Sequence, residues 1–221
     1  MQIWNSKGVK KMSLIDEIKE NKIVAVIRKA NEENIFLILE ALAKGGVTSV
    51  EITAETPNVT RIIETAVKHV GDHVNIGAGT VLDPQTARQV IMAGATFIVS
   101  PTLNLETLKL TNRYGVLNIP GVLTPTEIQT AYEHGAQMVK VFPADAFGPN
   151  YVKNILGPLP HVQAMVTGGI TLDNMNEYLS KGCKAVGIGS NLVNAALLNS
   201  EDDYKQLTER AKQYVAKVAE L

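Results

Sequence analysis

Short apolar, β-branched runs alternate along this chain with stretches in which apolar residues recur at helical spacing. The runs predict strands at 23–28, 49–53, 75–79, 96–100, 116–119, 138–142, 164–167 and 185–189. Several are apolar at consecutive positions, as strands covered on both faces are. Helical patterns fill the gaps. The stretch 32–44 ends at Gly45-Gly46, a stop signal. Asp83-Pro84 and Thr124-Pro125 each set a capping side chain before a proline at the first helical position. A helix over 171–181 stops at Gly182, a short one over 13–20 precedes the first strand, and a long one over 201–221 ends the chain.

Strand and helix therefore alternate eight times without a linker or low-complexity stretch, in 221 residues. That pattern predicts an α/β fold, a closed parallel (β/α)8 barrel of TIM type with an N-terminal helix, as a single domain over 1–221. An open doubly wound sheet is the competing arrangement, and it rarely needs eight strands in so short a chain. Residues 1–12 read as an arm outside the barrel, or as sequence upstream of a start at Met12; they contain no apolar core of a signal peptide.

Composition narrows the function. The net charge of −1 gives no field for nucleic acid or an anionic membrane, and 45% apolar content is ordinary for a globular protein. No run reaches the ~18 apolar residues of a membrane span. The single cysteine, Cys183, rules out an intrachain disulfide and reads as a buried structural thiol, so the expected location is the cytoplasm. The four histidines (His69, His73, His134, His161) form no paired ligand motif, and no nucleophile elbow is present. No metal and no cofactor is expected.

In a parallel barrel the chemistry lies at the carboxyl ends of the strands. Lys140 is a lone charge in the apolar run Met138-Val-Lys-Val-Phe142. If it faces the interior, burial lowers its pKa and makes it a nucleophile toward a ketone; if it faces outward, its stem packs and its head reaches water. Glu51, alone in Ser49-Val-Glu-Ile-Thr53, is either a proton shuttle or a buried ion-pair partner. Thr167-Gly168-Gly169 and Gly187-Ile-Gly189-Ser190 follow the last two strands and read as phosphate loops opening helices, or as plain tight turns. Thr80, after Gly77-Ala-Gly79, is a candidate for a carboxylate, and those small residues equally make room inside the barrel. Arg28 is a candidate anion grip or a solvated strand-end arginine. Pro101 and Phe142 complete the residues expected to line the substrate.

Together and in this order, Ile23-Val-Ala-Val-Ile-Arg28, Gly45-Gly-Val-Thr-Ser-Val-Glu-Ile-Thr53, Ile76-Gly-Ala-Gly-Thr-Val81, Phe97-Ile-Val-Ser-Pro101, Pro120-Gly-Val-Leu-Thr-Pro125, Lys140-Val-Phe-Pro-Ala144 and Thr167-Gly-Gly-Ile170 resemble the 2-keto-3-deoxy-6-phosphogluconate / 4-hydroxy-2-oxoglutarate aldolases, over about 14–213. The resemblance implies a class I aldolase, commonly a homotrimer, that needs no metal and acts on a small keto-acid phosphate. It implies Lys140 as the Schiff-base lysine and Glu51 as the general acid/base. It also implies Thr80 on the pyruvyl carboxylate, Thr167 at the new carbinol centre, and Gly168, Gly169, Gly189 and Ser190 around the phosphate. Some members carry an arginine against the pyruvyl group where this chain has Glu55, which shifts the carboxylate grip toward Arg28 and Thr80. Galactonate-specific relatives tend to have valine at the position of Thr167, which favours the gluconate substrate here, although Ala146-Phe-Gly-Pro149 resembles those relatives. The competing readings are another phosphate-binding barrel, such as an isomerase or synthase, and a non-catalytic sugar-phosphate sensor.

Overall fold

In the computed structural model of the chain, which describes residues 12–221, nine parallel strands form one sheet. They are β1 (Ile23–Ile27), β2 (Ser49–Thr53), β3 (Asn75–Gly79), β4 (Phe97–Val99), β5 (Leu117–Ile119), β6 (Gly121–Val122), β7 (Val139–Val141), β8 (Ala164–Thr167) and β9 (Ala185–Ile188). β5 and β6 are one stave broken at Pro120. Proline has no N–H for a ladder, but its carbonyl accepts from the Lys140 N–H at 2.8 Å. β5 pairs with β4 and β6 pairs with β7, so this broken stave joins the two ends of the sheet. Eight staves thus close into the (β/α)8 barrel that the eight apolar runs predict. The expectation of an arm over 1–12 lies outside the described residues except at Met12.

Two apolar layers hold the barrel. Between staves and helices lies the larger cluster, with Ile38, Leu42, Ile63 and Val166 among its fully buried members. Inside the barrel is a smaller one: Val24, Phe97, Val99, Ile119, Met138, Met165 and Ala185, with Ile18 from α1 (Leu14–Asn21). Leu14 and Ile15 pack against it, so α1 closes the amino end of the barrel and leaves the carboxyl end open. At the other terminus α9 (Glu201–Val218) packs on α2 (Ile35–Lys44), and the Thr208 hydroxyl donates to the Ala41 carbonyl at 3.1 Å.

The expected caps form. Asp83 accepts from the Thr86 N–H at 2.7 Å ahead of α4 (Pro84–Met92), and Thr124 makes a capping box with Glu127 at the start of α6 (Pro125–Glu133). α9 stops at Val218, three residues short of its pattern, and two helices begin later than theirs. α2 begins at Ile35 rather than at 32, because the Asn31 side chain accepts from the N–H groups of Glu33 and Asn34. α8 (Met175–Ser180) begins four residues after Thr171, whose hydroxyl accepts from the Asn174 N–H while the Asn174 side chain accepts from the Thr171 N–H. In both places a short polar side chain captures amides that a helix would leave free.

Candidate active site

Strand alternation answers the question left open for Lys140. Successive residues of a strand face opposite sides, and Met138, two positions away, belongs to the interior cluster. Lys140 therefore points into the barrel, where it is 3% exposed. Ser49, Glu51 and Thr53 share one side of β2 and are all buried. The Glu51 carboxylate fits because Gly79 has no side chain: a Cβ there would stand 2.9 Å from the carboxylate carbon. The room-making role of the small residues before Thr80 is thus real.

Burial dominates both charges. It pushes the Lys140 ammonium below the usual lysine range, and the Glu51 carboxylate and the Glu55 carboxylate pull partly back. It pushes the Glu51 carboxyl above the usual carboxylate range, and the charges of Lys140 and Arg28 pull partly back. A lowered amine and a raised acid approach each other in proton affinity, which suits proton exchange between them. The two make no direct ion pair: the Glu51 Oε2 atom is buried and has no hydrogen-bond partner, and the Lys140 ammonium sits over the Phe142 ring, 4.8 Å from its centroid. Phe142 follows β7 directly and borders the amine.

Thr167 ends β8, and its hydroxyl is a second buried polar atom without a partner. An unmade hydrogen bond of this kind costs about 1–3 kcal/mol. Beyond Thr167 the chain turns through Gly168 and Gly169, both at positive φ (103° and 66°), a conformation that side chains other than glycine's resist. The loop after β9 holds Gly189 and Ser190. Neither loop opens directly into a helix: α8 starts at Met175, and after Ser190 only a turn and a short 3-10 segment (Ala195–Leu197) precede α9. The expected helix dipole is absent at these loops. Asn191 was not legible as a site residue, yet its side chain donates to the Ile170 carbonyl at 2.7 Å and ties the two loops together. Asn174 adds a bond to the Gly169 carbonyl at 2.9 Å.

Thr80 stands directly after β3 with φ +55°. A β-branched residue in the left-handed region is strained by about 1–3 kcal/mol, a cost that concentrates at functional sites. Pro101 lies just beyond β4 and packs its backbone against Gly121 at the head of β6. Arg28 ends the first run, but it is not free: its Nη1 meets Glu55 Oε1 at 2.5 Å. With Lys29, Ser190, Val193 and Asn194 it also lines a cleft of about 170 Å³. Of the histidines, His69 packs its ring at a tilt against Phe36 and His134 bonds the Thr130 carbonyl. Burial pushes the Cys183 thiol up to about 12, so it is inert at neutral pH. Among the described residues no helix is long and apolar enough to cross a membrane, and no three His, Cys, Asp or Glu side chains gather as a metal site.

A lysine and a carboxylate buried together inside a parallel barrel fit the class of lysine-dependent lyases. The comparisons carry this to a family. The family model for KDPG and KHG aldolase matches residues 14–209. The 2-dehydro-3-deoxy-6-phosphogalactonate aldolase of Escherichia coli is 34% identical over 78% of this chain and 85% of its own. The 2-dehydro-3-deoxy-phosphogluconate aldolase of Pseudomonas aeruginosa is 38% identical over 77% of this chain and 78% of its own. The solved structure of KDPG aldolase from Legionella pneumophila, with pyruvate captured at low pH as a covalent carbinolamine, superposes with a TM-score of 0.81. It is 32% identical, with 87% of this chain and 93% of that one covered. The chain belongs to the KDPG and KHG aldolase family, and is accordingly an aldehyde-lyase.

Proposed function

We propose that the protein cleaves 2-keto-3-deoxy-6-phosphogluconate to pyruvate and glyceraldehyde 3-phosphate, with 4-hydroxy-2-oxoglutarate as a second substrate. The observation that carries this reading is the Lys140–Glu51 arrangement: two buried, oppositely chargeable groups at one barrel mouth without an ion pair between them. Neutral Lys140 Nζ attacks the keto carbon, and Glu51 moves protons through a bridging water as the carbinolamine loses water to the iminium. The iminium is the electron sink. Glu51 then takes the proton of the hydroxyl on the fourth carbon, that oxygen becomes the aldehyde, and the electrons of the bond between the third and fourth carbons pass into the enamine. Glyceraldehyde 3-phosphate leaves. The enamine is protonated at the third carbon, and water releases pyruvate from Lys140.

In this reading Thr80 holds the pyruvyl carboxylate, Arg28 reaches the anionic tail from the small cleft beside Ser190, and Pro101 and Phe142 wall the amine. Gly168, Gly169, Gly189 and Ser190 hold the phosphate, so that binding at the far end positions the reacting bond. The unpartnered Thr167 hydroxyl supports the gluconate epimer, because it can bond the carbinol oxygen. The galactonate epimer is the alternative, supported by Ala146-Phe147-Gly148-Pro149 and by the likeness to the Escherichia coli enzyme. A homotrimer is the assembly that goes with this reading. Pyruvate release from the two phosphorylated epimers separates the alternatives. The gluconate compound is expected to react about ten-fold faster in kcat/KM, the worth of one good contact; equal rates or a galactonate preference overturn the assignment of Thr167.

A further inference from the structure

We propose that Glu55 sets tail selectivity: by holding Arg28 it weakens the grip of the site on an anionic tail and widens acceptance toward keto acids without a phosphate. The inference rests on the function proposed above. Arg28 follows β1 and Glu55 follows β2, and their side chains meet at 2.5 Å while remaining about half exposed, 52% and 46%. The same arginine lines the small cleft with Ser190 and Asn194, on the side of the loop assigned to the phosphate. Its charge is therefore shared between a carboxylate already present and an anion still to arrive.

The pair also sits close enough to act on the reacting groups. Arg28 favours the neutral amine of Lys140 and the ionised form of Glu51, and Glu55 opposes both. A phosphate entering the cleft must draw Arg28 away from Glu55 or bind with that carboxylate nearby. Either way part of the attraction is lost. A tail with no charge loses nothing. Lys29 lines the same cleft and is the other cation at hand; if it alone holds the tail, Glu55 has no influence on selectivity.

The test is E55Q in the full chain. KM for the phosphorylated six-carbon keto acid is expected to fall by up to about five-fold, the ceiling for a half-exposed ion pair. KM for the same acid without phosphate stays unchanged, any change in kcat is common to both acids, and E55D, which keeps the charge, behaves like the parent. Calorimetric binding of glycerol 3-phosphate, which needs no chemistry, is expected to tighten by the same factor in E55Q. A KM that does not move, that rises, or that shifts equally for both acids overturns the proposal. Reductive trapping of pyruvate on parent and variant keeps the two readings apart. No adduct with tighter glycerol phosphate binding sinks the aldolase reading and leaves the role of Glu55 standing; an adduct with unchanged binding sinks the role of Glu55 alone.

Discussion

At the scale of single residues, Lys140 and Glu51 matter because each is a charge in an apolar strand. A charge there is expensive unless it is neutralised or paired. The chain does neither with a direct ion pair, and the two proton affinities instead move toward each other. This has a consequence with a definite sign. The negative charge of Glu51 holds protons on Lys140, so E51Q removes a pull that raises the lysine. The acid limb of pyruvate trapping, set by loss of the ammonium proton, is then expected to move to lower pH. Turnover falls in the same variant by about 10²–10⁴-fold, the usual worth of a positioned acid/base. A limb that moves to higher pH contradicts the electrostatics described. Both residues were visible in the sequence, since a lone charge among apolar neighbours stands out. The direction of Lys140 was not, because the parity of a strand against its barrel is a property of the closed sheet. Nor was the strain at Thr80: a φ of +55° follows from the turn after β3, not from the residue type. Arg28 and Glu55 stand in separate units, so nothing local in either motif announced their pairing.

At the scale of elements, the strands and capped helices followed their patterns, since short continuous apolar runs, apolar residues at helical spacing and an Asp or Thr before proline are local signals. The loops were harder. The helix expected from 171 instead begins at Met175, and no helix follows Ser190 directly, because Thr171 and Asn174 exchange hydrogen bonds and the β9 loop closes on itself through Gly189. The two glycine loops are held to one another by Asn191, whose side chain donates to Ile170 across the gap between β8 and β9. N191A is expected to raise KM for the phosphorylated substrate by about three- to ten-fold, the worth of one neutral hydrogen bond. Pyruvate trapping, which needs no phosphate grip, stays as in the parent. If trapping falls with it, Asn191 supports the barrel mouth as a whole rather than the phosphate loops.

At the scale of the molecule, the barrel is closed by a stave that proline interrupts, and its amino end is plugged by α1. The eight-fold alternation made closure legible, but not the place of the seam, because the pairing of Gly121 with Lys140 joins distant units. That seam sets the register of Lys140: its N–H is fixed by the Pro120 carbonyl on one side, and it stands beside Met165 of β8 on the other. The backbone beneath the amine is therefore held by a paired strand on each side. The central claim is that this amine forms the imine. Incubation with pyruvate, reduction with borohydride and peptide mapping by mass spectrometry test it most directly. The account predicts one reduced pyruvate adduct, on Lys140 and lost in K140M; no adduct, or an adduct on any other lysine, contradicts it.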